Sequence, residues 1–310
     1  MKITILGAAG FIGTNFAIRF AKQGHELVLV DEYEHYFDIL KKKNLKNTTF
    51  KTSSFSEKED FYSLLYGTDI VIDLMSKNIP GDSNQSIPEE LQSNIIVTAK
   101  LLDDCVKAQI KKFIFVSSGG TVYGDNVVCP VIEDAPTFPI SSYGIQKITI
   151  EKLLYLYKYI YNLNYCVLRL ANPYGPYQRP NGRLGVITNF IYKALKKELI
   201  TVYGDGSVIR DFIYIDDVID ASINIIEKKG HYNTYNIGSG IGVSIKQIIV
   251  AIEECVGGEV QIEYRPGRRA DVPVNYLDIS RYENDFGKLV KTHLKKGIQQ
   301  TCQFLECNNI

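Results

Sequence analysis

The sequence predicts an α/β protein built on a doubly wound parallel sheet, and three observations predict it. Apolar runs of strand length alternate with stretches of helical periodicity through the first half of the chain. The first run, Ile3 to Leu6, leads into a glycine-spaced turn, Gly7-Ala-Ala-Gly10-Phe11-Ile12-Gly13, and a helical pattern leads out of it. A second run, Leu27 to Val30, ends on Asp31, 18 residues after Gly13. Strand, glycine turn, helix and a second strand closing on an acid make a mononucleotide-binding unit.

Each residue type in that unit has a physical reason. Glycine at 7 permits a tight turn, glycine at 10 lets the backbone approach a pyrophosphate, and glycine at 13 lets the helix pack close to its strand. From Phe11 and Ile12 onward the helix start offers bare N–H groups and a positive dipole end to phosphate. Asp31 stands close to the offset at which an acid accepts the adenosine ribose hydroxyls. A 2′-phosphate would be repelled there, and no arginine follows within several residues, so NAD is expected over NADP.

Composition narrows the rest. A chain of 310 residues with 45% hydrophobic content can bury a large core. Lysine plus arginine equals aspartate plus glutamate at 35 each, so no broad basic field favours nucleic acid. No charged leader and apolar signal core precedes the first strand, and no apolar run is long enough to span a bilayer, which predicts a cytoplasmic protein without a membrane partner. The six cysteines form no CxxC pair, and neither disulfides nor a metal site is expected.

Taken in order, the stretch to Lys46 reads as helix and loop, Thr48 to Thr52 as a third strand and Asp69 to Leu74 as a fourth. Leu91 to Ala108 reads as one long helix, with Leu91, Ile95, Thr98, Leu101, Leu102, Cys105 and Val106 on an apolar side. Lys112 to Val116 is a fifth strand, apolar enough to be covered on both faces. Ser117-Ser118-Gly119-Gly120-Thr121-Val122-Tyr123-Gly124 follows at its carboxyl end, where open α/β sheets hold ligands. Ser141-Ser142-Tyr143 opens a helix running to about Tyr161, within which Tyr143 and Lys147 lie one turn apart on one face. Asn164 to Leu170 is the sixth strand, closing a nucleotide-binding domain at residues 1–171. Residues 172–310 form a smaller C-terminal α/β substrate-binding domain, with strand and helix exchange between the two. In it Val186 to Lys197 reads as helix, Thr201 to Tyr203 as a short strand, Arg210 to Asp217 as strand into helix, and Ser244 as a helix N-cap. A strand Gln261 to Tyr264, a loop Arg265 to Asp271 and helices near Ser280 to Phe286 and His293 to Leu305 end the chain.

Six segments now stand in order: GxxGxxG, SSGGTVYG, YxxxK, Arg169-Leu-Ala-Asn172-Pro-Tyr-Gly-Pro176, Tyr203-Gly-Asp-Gly206 with Arg210-Asp-Phe, and Tyr235-Asn-Ile-Gly-Ser-Gly240. Together they resemble the extended short-chain dehydrogenase/reductase family, and within it the NAD-dependent nucleotide-sugar epimerases of the UDP-glucose 4-epimerase type. The resemblance implies a Rossmann-type domain, NAD as cofactor and a UDP-sugar as substrate. It also implies a homodimer pairing the helices Leu91 to Ala108 and Tyr143 to Tyr161 across a twofold axis. Ser54 falls near the family's adenine-contacting aspartate, a match that fails in residue type. Leu74 and Met75 resemble the wall against ribose and pyrophosphate, Asn94 a brace of the sheet, and Ser117, Tyr143 and Lys147 complete the cofactor set.

The chemistry follows from the same segments. Tyr143 is the expected base for a sugar hydroxyl, and bringing a phenol from about 10 to about 7 needs roughly 4 kcal/mol of preference for phenolate. Lys147 and the positive nicotinamide ring can supply that by charge. The third hydroxyl aligns with Ser118 or, counting back from Val122, with Gly119, with Thr121 in reserve. Family dehydratases carry an Asp-Glu pair after that threonine and decarboxylases a glutamate before VYG, whereas this chain has Gly120 and Thr121, which favours 4-epimerisation through a 4-keto sugar. By resemblance Asn172 contacts the diphosphate, Tyr203 lines the base pocket, Arg210 and Arg268 neutralise the diphosphate and Asp271 holds the ribose, with Arg269 competing for the place of Arg268. Asn275, beside the sugar C2 substituent, would admit N-acetylated sugars; a shift of register putting Tyr276 there would exclude them. A 4-ketoreductase, a dehydratase and a non-catalytic NAD-binding regulator are the other readings.

Overall fold

The computed structural model describes residues 1–78, 83–180, 184–267 and 272–308. Its strands are β1 (Lys2–Leu6), β2 (Glu26–Asp31), β3 (Thr48–Thr52), β4 (Ile70–Asp73), β5 (Lys112–Ser118), β6 (Tyr165–Leu170), β7 (Asn172–Tyr174), β8 (Ile200–Tyr203), β9 (Ile209–Tyr214), β10 (Thr234–Ile237), β11 (Gly242–Ser244), β12 (Ile262–Arg265) and β13 (Val274–Asn275). The helices are α1 (Phe11–Lys22), α2 (Asp38–Lys42), α3 (Phe61–Leu65), α4 (Ile87–Leu91), α5 (Val97–Lys107), α6 (Ser142–Tyr161), α7 (Val186–Lys196), α8 (Ile215–Glu227), α9 (Ile245–Val256), α10 (Ser280–Phe286) and α11 (Leu294–Cys307).

Seven strands form one parallel sheet in the order β10-β6-β5-β4-β1-β2-β3. Alternation along each strand divides the core between its faces. Ile3, Ile5, Ile114 and Leu168 pack under α1 and α8 with Phe16, Phe20 and Ile219. Leu6, Val71, Phe113 and Phe115 pack under α5 and α6 with Leu101, Leu102 and Leu154. This is the doubly wound α/β sheet that the sequence predicts. In the C-terminal part β9 pairs with β7 and β13 in parallel and with β11 antiparallel, while β8 and β12 form a parallel pair. A separate core there joins Ile187, Ile191, Phe212, Ile248 and Ile298.

Two features depart from the sequence reading. The seventh strand, β10, comes from the Tyr235-Asn-Ile segment and pairs with β6, with Asn236 opposite Arg169. It is short and alternates Thr234 and Asn236 with Tyr235 and Ile237, so it lacks the continuous apolar run that marked the inner strands. The single long helix is two helices joined by a wider π turn at Gln92–Ile96. Side chains cause the change: Ser93 Oγ and Asn94 Nδ2 donate to Glu90 O, and Thr98 Oγ1 donates to Asn94 O, taking carbonyls from the helical ladder.

One buried carboxylate fastens the smaller part to the sheet. Asp211 on β9 accepts from Ser239 N and Oγ, Gly240 N and Leu277 N, at 2.6 to 3.2 Å. It gathers the loop after β10 and the segment after β13 at the carboxyl ends of the central strands.

Candidate active site

The glycine turn is held by β2: the N–H groups of Gly7 and Ala8 both donate to Val30 O, at 2.9 and 3.0 Å. A Cβ at residue 13 would lie 2.7 Å from Ala8 Cα, so only glycine lets α1 start this close to the turn. The helix starts at Phe11 with no side-chain cap and no acid in its first turn, leaving its first N–H groups and positive end for an anion. Asp31 receives Ala9 N–H on one oxygen and Glu32 N–H on the other, both at 2.8 Å. Burial raises its pKa, and those N–H groups and the charge of Arg179 act against the rise. These groups open on a cavity of about 650 Å³ lined by Gly7, Gly10, Phe11, Asp31, Leu74 and Met75 among others. A turn with no room for side chains, an uncapped helix start and a carboxylate with lone pairs to spare fit a dinucleotide.

Of the expected cofactor residues, Ile12, Gly13, Ser54, Ser117, Tyr143 and Lys147 do not line this cavity. Ser54 is exposed and bonded to Glu59 and Ser56, and Phe55 lines the wall instead. Ser117 turns its hydroxyl inward onto Glu151 at 2.6 Å. Asn94 braces the 77–78 turn by accepting from Lys77 N and donating to Asn78 Oδ1.

Tyr143 is placed by the start of α6. Ser141 caps the helix through Gly144 N, and Asn84 Oδ1 and Ser83 Oγ accept from the N–H groups of Ser142 and Tyr143. A Cβ at residue 144 would come within 2.7 Å of Thr121 O, so the helix start rests directly on the SSGGT loop. One turn on, Lys147 is buried, its ammonium 5.5 Å from the Tyr143 ring centre and donating to Val116 O at 3.0 Å. Burial pushes the Tyr143 phenol up to about 12 and the Lys147 ammonium down to about 8, the latter against the charges of Asp73 and Glu151. The protein alone thus keeps the phenol neutral.

The loop also explains its double glycine. A Cβ at 119 would stand 2.6 Å from Leu277 Cδ1 and 3.3 Å from Arg169 O, so a side chain at that position requires Leu277 to move. Ser118 and Thr121 remain, and Thr121 Oγ1 is buried with no hydrogen-bond partner among the described residues.

Behind the loop lies a buried polar network that continues through Glu133 and Arg281 to the exposed Asp134. Register puts Ser117 opposite Arg169. The Arg169 guanidinium holds Glu151 through Nε and Nη2 at 2.6 to 3.2 Å and donates from Nη1 to Tyr123 OH and Glu133 O. Tyr123 OH donates to Asn236 Oδ1 at 2.6 Å, which ties in β10.

Among the substrate residues, Asn172 donates to Asp211 O at 2.8 Å and Arg210 to Ile209 O and Val272 O. Tyr203 lines a separate hollow of about 370 Å³ with Gly204, Val208 and Pro273. Asn275 is buried, its amide 3.5 Å from Gly119 O, while Tyr276 turns to the opposite side against Gly242. Arg268, Arg269 and Asp271 lie outside the described residues, as does the stretch Pro80-Gly81-Asp82.

Sequence reasoning missed Asp73, Glu151 and Arg179. An acid inside the apolar pattern of α6 was a signal for Glu151, and an aspartate ending an apolar strand was one for Asp73. Arg179 had none, because it comes to the cavity of Asp31 from the other half of the chain.

Fold and site together define a Rossmann-type protein with a cavity at its glycine turn and a tyrosine–lysine pair at the start of α6. The chain belongs to the NAD dependent epimerase/dehydratase family, whose model matches residues 3–238. It is 30% identical over 309 residues to a putative UDP-glucose 4-epimerase of Methanocaldococcus jannaschii, covering 99% of each chain. Its structure is similar to that of the Thermotoga maritima UDP-glucose 4-epimerase with UDP-glucose, at a TM-score of 0.92, 31% identity and full coverage of both chains. It is also similar to the Bacillus cereus UDP-glucuronic acid 4-epimerase in complex with UDP-glucuronic acid and NAD, at a TM-score of 0.90 and 26% identity, covering 99% of this chain and 100% of that one.

The network yields a stability prediction. Glu151→Ala leaves the Arg169 charge buried without its partner and is expected to cost about 3–5 kcal/mol, whereas Glu151→Gln keeps acceptor and shape and costs less. Urea unfolding of both variants checks this; equal, small losses would show that the pair is not needed.

Proposed function

We propose that this chain is an NAD-dependent nucleotide-sugar 4-epimerase acting on a UDP-hexose. The observation that carries the reading is the Tyr143–Lys147 pair resting on a loop whose positions 120 and 121 hold glycine and threonine, with no acid to expel a leaving group. NAD, when bound, would take up and return the hydride. Tyr143 Oη accepts the O4 proton and later gives it back, and Thr121 or Ser118 donates a hydrogen bond to O4. Lys147 holds positive charge beside the phenol. Burial alone favours neutral phenol, so the remaining drive to phenolate must arrive with the cofactor's charge. Asn172, Arg210, Arg268 and Asp271 would hold the nucleotide diphosphate, and Tyr203 its base.

Tyr143→Phe removes only the proton-accepting oxygen, so interconversion of UDP-glucose and UDP-galactose without added reductant should fall by about 10²-fold or more. NAD binding, followed by calorimetry, should persist. Near-normal turnover would overturn the base assignment, and a wild type that turns over only with added reductant would make the protein a 4-ketoreductase.

Substrate breadth rests on position 275. Asn275 faces the Gly119 side and Tyr276 faces away, which favours the register that leaves room for an N-acetyl group. Asn275→Tyr should therefore lower kcat/KM for UDP-N-acetylhexosamines relative to UDP-hexoses by about tenfold or more. An unchanged ratio would remove Asn275 from the pocket.

The dimer reading has support in exposed apolar residues on α6 and at the end of the π turn before α5. Ile96 precedes α5, and Ile145, Leu156, Tyr159 and Ile160 lie on α6, all of them 44% exposed or more. Packing of this pair against a second copy would bury them as four helices. Light scattering at micromolar concentration should give a dimer, and Leu156→Asp with Ile160→Asp should give a folded monomer; a monomeric wild type refutes the assembly.

A further inference from the structure

Asp31 faces a cation across the cofactor cavity. Arg179, in the irregular segment after β7, lines the same cavity as Asp31, Glu32 and Tyr36. Its guanidinium lies 5.6 Å from the centre of the Tyr36 ring. That ring is itself braced edge-on by Tyr33 and His35, at 5.2 and 4.6 Å between centres. The arginine therefore sits on an aromatic shelf at the adenosine end rather than swinging free in water.

We propose that Arg179 is a dinucleotide-selecting residue that works against Asp31: it holds the adenosine of NAD, and it becomes the anchor of a 2′-phosphate once the Asp31 charge is removed. The inference rests on the reading of this cavity as the NAD site. Its logic is one of charge. Each Asp31 oxygen is committed to one backbone N–H and retains lone pairs for a ribose hydroxyl, which a phosphate in that place could not donate to. Glu32 adds a second negative group on the wall, and the nearby Lys77 ammonium is already given to Ser54 O at 3.2 Å. Among the described residues Arg179 is thus the cation lining this wall with a planar, two-pronged donor set suited to a phosphate. In NAD, which has no phosphate there, the same plane is offered to the adenosine.

The test is calorimetric binding of NAD and NADP to nucleotide-stripped wild type, Asp31→Asn, Arg179→Ala and the double variant, with thermal melting as the control for folding. Arg179→Ala is expected to weaken NAD by about threefold to fivefold. Asp31→Asn should tighten NADP by about tenfold or more, in a salt-sensitive way, and the double variant should lose that gain. Wild type that binds neither dinucleotide would overturn the cofactor reading together with this inference. NAD affinity unaffected by Arg179→Ala, or an NADP gain that survives in the double variant, would overturn this inference alone. Arg179 is exposed, so its replacement keeps the fold. Should Asp31→Asn not fold, the NAD affinity of Arg179→Ala decides.

Discussion

Arg169 is the constraint around which the site is built. A guanidinium taken out of water must find an acceptor for each donor direction, and here the acceptors come from three places in the chain, Glu151 on α6, Tyr123 in the loop after β5 and the Glu133 carbonyl, while Tyr123 in turn donates to Asn236 on β10. Satisfying one buried charge therefore fixes the helix bearing Tyr143 and Lys147 against the loop bearing Ser118 and Thr121. The Tyr143–Lys147 pair is only as well placed as the Arg169–Glu151 ion pair that anchors its helix.

Asp211 does for the smaller part what Arg169 does for the sheet. Its carboxylate is buried and its pKa raised by burial, yet four donors converge on it from residues 239, 240 and 277. Those donors bring β13, with Asn275, against the SSGGT loop. Three of the four donors are backbone N–H groups, which fixes the segments on either side of Asp211 more tightly than long side chains would.

The inner strands, the glycine turn and the tyrosine–lysine pair were legible because each depends on local pattern: continuous apolar runs, glycine spacing and helical period. The edge strand β10 was not, since its alternation of Thr234 and Asn236 with apolar residues reads like a loop. The π turn at Gln92–Ile96 arises from side-chain hydrogen bonds that periodicity does not encode. Ser54 and Ser117 were placed by analogy with neighbours in sequence, whereas Glu59 and Glu151 decide where their hydroxyls turn. Arg179 lies 148 residues from Asp31, and no local rule joins them.

The contact of Gly119 with Leu277 couples two motifs that lie far apart in the chain. Leucine methyls occupy the space that any side chain at 119 would need, and Arg169 O closes the other side. A serine at 119 needs the leucine at 277 to take another rotamer. The positions should therefore vary together across relatives, a smaller residue at 277 accompanying a side chain at 119, so that a segment outside the loop sets what the loop can carry.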